Sequence, residues 1–427
     1  MSAQLAAATD RVLIVGTGLT GALTCYHLRK ALRDRIKIDV ADMARGAGGR
    51  MSTTRYEGKH GSVRANTGAQ YVSAASRDAA ELLATVCASN GAGACALDRV
   101  AAPAPRSTHF RGDDAAYAHW LPREGTNGVV KQFLYGGAPD SVAFGARLLR
   151  VAASGRRLRP VFDRGAGEDA DYAAVVLAMP PKDILKFFDA DIGAAGELQS
   201  QATLHRRTNK GKAAALPPGF APIALPRDVV RTLSSVDYVG RYSLAMWFGD
   251  ARFAEALDEA WRARAGGEAH DVLDAVVVQP GGVVVAQSTV AFWRRVSGLD
   301  AARGAKRRRG GGRGGGRGGG RGGGRGGGRG GGRGEHGRDA ARASMLDALA
   351  AVVGRPVPRP QHAKLLNWRT SQVESPARPD PPVVAASGGA LVFTGDWCVE
   401  SSFEGCHRAA RAAADAVASH LGLDSSA

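Results

Sequence analysis

Two hydrophobic periods alternate along this chain. Residues 12–15 (VLIV) form an unbroken apolar run, the pattern of a strand buried on both faces of a parallel sheet. The stretch GALTCYHLRKAL (21–32) then reads as a helix, with Cys25, Leu28 and Leu32 on one side. IKIDVAD (36–42) alternates Ile36, Ile38 and Val40 and ends in Asp42, so the chain opens as strand, glycine turn, helix, strand. Further on, 75–95 and GTNGVVKQFLYG (125–136) read as helices, and 98–125, rich in Pro, Arg and Asp, reads as loop. VAFGARLLRV (142–151) and DYAAVVLAMPP (171–181) read as strands, the second stopped by its Pro pair. A strand is expected in 233–248, and 274–293 reads as two strands joined by Pro-Gly-Gly. DAARASMLDALAAVV (339–353) fits an amphipathic helix, LLNWRTSQV (365–373) a strand and ALVFTGDW (390–397) an apolar strand ending in Gly-Asp. GCHRAARAAADAVASHL (405–421) closes the chain as a helix, with Ala410, Ala413, Val417 and Leu421 on one face.

Charge changes this picture in one place. The 427 residues carry a formal net charge of +17, which invites a nucleic-acid reading. Ten Lys or Arg and no acid lie in 306–334, an arginine–glycine tract, so the other 398 residues carry only +7. The tract cannot bury apolar area and is expected to be disordered, an insertion in a surface loop between a strand and a helix. Its seven arginines at four-residue spacing could hold phosphates, but it has no aromatic residue on which bases could stack. RNA association through 306–334 is therefore at most secondary.

The five cysteines, Cys25, Cys87, Cys95, Cys398 and Cys406, fit neither a redox CxxC nor a zinc knuckle. A reducing, cytoplasmic setting is expected. No apolar run reaches the length of a membrane span, and no paired metal-ligand motif, GxSxG or HExxH occurs.

The candidate chemistry begins at Gly16, Gly18 and Gly21, at GxGxxG spacing between a strand and a helix. Such glycines allow a tight turn, a close backbone approach to a pyrophosphate, and close helix packing, and the helix N-terminus then faces the phosphates. Alone the motif is weak; Asp42, 21 residues after Gly21 and at the end of the next strand, strengthens it by offering a carboxylate to a ribose. Gly48, Gly49 and Arg50 follow, placing a guanidinium near the pyrophosphate. NTGAQYV then brings Gly68, Ala69 and Gln70, a backbone that could pass close to a flat ring with Gln70 offering its amide. Near the C-terminus Asp396 could hold a ribityl chain. The helix after Gly405 could aim its positive end at the edge of a flavin.

In this order the motifs resemble the FAD-dependent amine oxidase superfamily and, more closely, the renalases. The resemblance spans nearly the whole chain apart from the tract and 205–226, and NWRTSQV (367–373) is its most discriminating part. It implies an α/β fold in which a Rossmann-like FAD-binding domain of the glutathione-reductase-2 type is intertwined with a mixed-sheet α+β substrate domain. The FAD domain would comprise 11–74, 142–185 and 389–427, and the substrate domain 75–141 and 186–388. It also implies noncovalent FAD contacted by Gly16, Gly18, Thr20, Gly21, Asp42, Gly49, Arg50, Gly68, Ala69, Gln70, Leu148 (by backbone, at the adenine), Asp396 and Cys406. The implied activity is oxidation of dihydro isomers of NAD(P), with hydride transfer to flavin N5 and O2 as acceptor, giving H2O2. An amine oxidase or desaturase on the same fold is the alternative. Asn66 stands where renalases usually carry Asp.

Pocket candidates are Tyr71, Trp368, Arg369 and Phe403. Tyr242 and Arg241 are expected in core and surface roles respectively, His407 as a solvated first-turn histidine, and Cys398 and Cys406 as buried inert thiols. No general base stands out. A hydride transfer needs positioning and a dry pocket more than a nucleophile, because the cofactor carries the chemistry.

Overall fold

The computed structural model describes residues 9–58, 61–88, 95–100, 118–163, 170–188, 216, 218–264, 270–298 and 332–423. A six-stranded sheet runs in the order Val384–Ala386, Leu391–Thr394, Ala174–Ala178, Asp10–Val15, Ile36–Asp42, Ser141–Phe144. All its pairings are parallel except the outermost, where Val384–Ala386 runs antiparallel to its neighbour. The apolar run at 12–15 is continuous because each face of this sheet has its own core. Val12 and Ile14 pack with the helices Leu19–Leu32, Thr126–Gly136 and Phe403–His420, while Leu13 and Val15 pack with Val175, Leu177 and Phe393 on the other side.

A four-stranded antiparallel sheet forms the second layer, in the order Leu273–Gln279, Val283–Ser288, Asp237–Trp247, His362–Ser375. Tyr242, Leu244 and Met246 face the helices Ala251–Ala263, Val290–Val296 and Gly332–Val353. Ala245 and Trp247, one position out of phase, face the hairpin Thr53–Gly58/Gly61–Asn66.

The expectations differ from the structure at several boundaries. The segment 142–151 is two strands, Ser141–Phe144 and Leu148–Ser154, split where Gly145 takes φ +73°. The loop expected at 98–125 carries strands Leu97–Val100 and Ala118–Pro122, which pair with each other; 101–117 lies outside the described residues. In 274–293 the hairpin ends at Ser288, because the Thr289 side chain caps a helix, accepting from the Phe292 N–H. The last element before the tract among the described residues is therefore a helix, not a strand. The tract itself lies outside the described residues as far as 331, and its last three residues open the helix Gly332–Val353. The helix expected from 75 occupies Arg77–Ala88.

The glycine turn shows why three glycines stand there. Gly16 adopts φ +109°, where L side chains are strained. A Cβ at Gly21 would lie 1.9 Å from the Gly16 carbonyl oxygen, so the helix can sit on the turn only without a side chain. A Cβ at Gly18 would meet nothing within 4 Å. Gly21→Ala should therefore lower stability by about 3 kcal/mol, the upper range for overpacking. Gly46→Ala, at a site with no neighbour within 4 Å, should change it by less than about 0.5 kcal/mol. Thermal or urea unfolding of the two variants against the parent protein checks the contrast.

Candidate functional site

A cavity of about 1350 Å³ runs along the C-terminal ends of the parallel strands and beneath the second sheet. That exceeds the roughly 300–1,000 Å³ of an ordinary small-molecule site. Val15, Asp42, Ala178 and Gly395, at or just beyond four strand ends, all line it. This is where ligands bind in open α/β sheets.

Backbone bonds weld its separate motifs together. Gly48 N–H donates to the Thr17 carbonyl at 3.0 Å, placing the Gly-Gly-Arg turn against the glycine turn. Ala69 N–H donates to the Arg50 carbonyl at 2.9 Å. A Cβ at Gly68 would fall 1.9 Å from that same oxygen, so this crossing requires glycine. Asp42 ties the second strand to the turn: its Oδ2 accepts from the Thr17 N–H (2.6 Å) and hydroxyl (2.7 Å), and its Oδ1 from the Ala44 N–H (2.7 Å).

Arg50 and Asp396 meet as a bidentate pair, Nη1 to Oδ2 at 2.6 Å and Nη2 to Oδ1 at 2.7 Å. Tyr238 donates its hydroxyl to Oδ1 at 2.8 Å, and Ser401 donates to Oδ2. Burial alone would raise the Asp396 carboxyl, but the Arg50 charge and hydrogen bonds, then Ser401 and Tyr238, hold it below its ordinary value. Asp396, expected as an acceptor for a ribityl chain, thus already has both oxygens engaged by protein donors. Neither Tyr238 nor Ser401 carried a signal in the sequence.

The cavity brings together Gly16, Gly18, Thr20, Asp42, Gly49, Arg50, Gly68, Ala69, Gln70, Tyr71, Leu148, Trp368, Asp396, Phe403 and Cys406. Gly21 serves the turn from behind. Gln70 was expected to offer its amide, yet Nε2 donates to the Asn66 (2.6 Å) and Gly68 (3.0 Å) carbonyls, and Oε1 accepts from Gln279 at 2.6 Å. Trp368 donates its indole N–H to the Thr67 carbonyl at 2.8 Å. Arg369, its neighbour in the strand, is exposed and is not among the cavity-lining residues, because successive side chains of a strand point to opposite faces. Asn66 accepts from the Thr126 N–H and the Thr53 hydroxyl, both at 3.0 Å.

Three further expectations need correction. His407 is buried, not solvated: it meets His27 at 3.2 Å and Asp78 at 3.3 Å, away from the cavity. Arg241 is not a surface residue but a buried one lining the cavity. The last helix begins at Phe403, capped by Ser402, which accepts from the Gly405 N–H at 2.9 Å. Cys398 and Cys406 are free and buried, and burial pushes the Cys406 thiol up to about 12, so it stays protonated. Among the described residues no group of three or more His, Cys, Asp or Glu could hold a metal, and no helix is long and apolar enough to cross a membrane.

Asp396→Ala should cost about 3 kcal/mol, the lower end for breaking a buried pair, since the Arg50 side chain keeps 33% exposure and can recover some hydration. The depressed carboxyl also sets a pH dependence. Its contribution is complete above the ordinary value of 3.8 and disappears as pH falls through the lower folded value. Unfolding measured from neutral to acid pH should show a flatter acid limb in Asp396→Asn than in the parent protein.

Residues 14–86 match the family described as NAD(P)-binding Rossmann-like domain. No curated protein matches the chain. Among solved structures, a putative protoporphyrinogen oxidase from Exiguobacterium sp. 255-15 superposes over 97% of this chain and 100% of its own, with TM-score 0.57 and 10% identity. A putrescine oxidase variant with redesigned cofactor binding superposes over 96% of this chain and 99% of its own, with TM-score 0.54 and 11% identity. The chain thus combines a Rossmann-like domain at 14–86 with the fold shared by these two oxidases.

Proposed function

We propose that this protein is an FAD-dependent oxidase of renalase-like specificity, oxidising dihydro isomers of NAD(P) with O2 as acceptor. The observation that carries the reading is one continuous cavity that starts at the glycine turn and ends beneath the second sheet at Trp368. The two solved structures that share the fold are of oxidases, which supports the oxidase part of the reading and not the choice of substrate.

The residues fit the dinucleotide. The open space in front of Gly18 is a cradle that any Cβ would fill, at the N-terminus of the helix Leu19–Leu32. Gly16 and Gly18 would hold the pyrophosphate with that helix end and the Leu148 backbone the adenine; Asp42, whose Oδ2 is spent on Thr17, would reach the adenosine ribose only with the Oδ1 lone pair that Ala44 leaves open. Arg50, Gly68 and Ala69 would border the flavin. Bound there, FAD would supply a two-electron acceptor that takes a hydride at N5 and returns the electrons to O2 as H2O2.

The chain's own groups do the rest. Trp368 is fixed by its bond to Thr67 and gives a flat wall for a planar ring. Phe403 and Val277 help keep the chamber dry. Arg50, Arg241 and Arg294 each have a carboxylate partner and, being cations, accept no proton. A substrate that leaves as a cation after losing a hydride has no proton to give up and needs no base, whereas an amine would first have to arrive as the neutral amine.

The first test is the visible absorption of the purified protein before and after heat denaturation. Oxidised-flavin bands released into the supernatant are expected; their absence even after reconstitution with FAD would remove the basis of the reading. Bands retained in the precipitate would instead mean covalent attachment. Gly18→Val should weaken FAD retention about tenfold or more, a loss of about 1.4 kcal/mol. The expected substrates are dihydronicotinamide isomers, with H2O2 formed one for one. Turnover of a polyamine and none of the isomers would transfer the assignment to amine oxidation.

A further inference from the structure

Gln287 stands inside the second sheet, on the strand Val283–Ser288, paired with Ser243 on one side and Ala275 on the other. Its side chain is half-buried and lines the cavity. Nε2 donates to the Gly68 carbonyl at 2.7 Å. A carbonyl only accepts, so the nitrogen end of the carboxamide must face Gly68 and the two ends cannot be exchanged. The oxygen end is thereby fixed as well. Among the described residues no donor reaches Oε1, and Oε1 is not one of the polar atoms shut away from the surface without a partner. The strand is an inner one, with Ala286 and Ser288 buried on either side, so the surface Gln287 keeps is surface of the cavity. Thr370 and Gln372 alternate with Trp368 along the strand His362–Ser375 and line the cavity too. Their side chains make no hydrogen bond among the described residues, so nothing holds them in one direction.

An acceptor already oriented by the protein needs little ordering when a ligand arrives, and a ligand that leaves it unmet forfeits a hydrogen bond. The surroundings narrow the donor. Trp368, held by the Thr67 carbonyl, presents a flat wall, and Ala275 and Val277 add apolar lining. That suits a planar ring. Nε2 also keeps a second hydrogen besides the one given to Gly68, so a group that both donates and accepts matches the Gln287 carboxamide better than one that only donates or only accepts. A primary carboxamide on the ring is such a group. We propose that Gln287 reads a carboxamide on the substrate ring, Oε1 accepting one amide N–H, and so selects rings that carry this group over rings that lack the donor. The proposal rests on reading this cavity as the substrate chamber of an oxidase and deepens it by naming the residue that recognises the ring. A dihydronicotinamide carries the carboxamide; a polyamine carries neither the ring nor the acceptor. Gly68, which would border the flavin, also fixes Gln287, so ring and cofactor would be placed from one point.

The test is equilibrium binding by calorimetry to the full-length protein as purified, with two matched pairs of probes in which a methyl group replaces the amide nitrogen. Benzamide against acetophenone reads the ring alone; NAD+ against its acetylpyridine analogue reads the same group on a dinucleotide. The amide should bind about fivefold or more tightly in at least one pair, as expected for one hydrogen bond. Gln287→Met keeps an unbranched side chain of similar length and removes the acceptor. It should bring the preference below about twofold and leave the methyl ketone's affinity within about twofold. A role confined to bracing Gly68 would instead move both members of a pair together. Thr370→Val and Gln372→Met remove the other neutral polar side chains of the Trp368 strand and should leave the preference intact; they are read whether or not Gln287→Met folds. Equal affinities within both pairs, no binding of any of the four probes, a preference that survives in Gln287→Met, or one that vanishes in Thr370→Val or Gln372→Met would each overturn the assignment. Binding is read without turnover, so the two readings fail separately. A preference for the amide with no oxidation of any dihydronicotinamide isomer would sink the oxidase reading alone. Oxidation of those isomers with equal affinities within both pairs would sink the role of Gln287 alone.

Discussion

The bidentate contact between Arg50 and Asp396 is the bond on which the site depends. It joins residues 346 positions apart, and Tyr238, from the second sheet, donates to the same carboxylate. The glycine-rich end of the parallel sheet, the C-terminal Gly-Asp turn and the second layer thus converge on one ion pair. The cost of taking both charges from water is offset because nearly every lone pair and donor direction is used: two N–H groups, a phenol and a hydroxyl share two oxygens. The same residue acts twice, since the Arg50 carbonyl also receives the Ala69 N–H where Gly68 crosses it.

What was legible in the sequence is what local pattern encodes. The doubly buried strand at 12–15, the glycine turn and the acid at Asp42 follow from periodicity and spacing within about thirty residues. The cavity collects those motifs because they all sit at strand ends on one edge of a sheet. Legibility failed where a residue's surroundings come from elsewhere in the chain. Arg241 and Tyr238 lie on one strand three residues apart, in a segment whose sequence reads only as apolar and extended. Their roles depend on Asp274 and Asp396, which no local rule connects to them. His407 was expected to be solvated from its place in the first turn of a helix; it is buried, against His27 on the first helix.

A second kind of miss came from reading amide and carboxylate side chains as ligand contacts whenever they fall near a motif. Gln70 and Asp396 both border the cavity, yet their polar atoms are committed to the protein. Sequence can say that a polar residue lies near a site but not whether it faces the ligand or braces the wall. Arg369 shows the complementary error: one step of strand alternation separates the wall residue Trp368 from an exposed neighbour.

The separation of Arg50 from its partner also has a consequence in time. Ribosomes add roughly 5–20 residues per second and N-terminal parts of a chain start to fold first. Arg50 is therefore exposed on the nascent chain for tens of seconds before Asp396 is synthesised, and the strand Leu391–Thr394 reaches its place in the parallel sheet equally late. The early strand-turn-helix can form on its own, but the site it belongs to is not locked until Asp396 has been made.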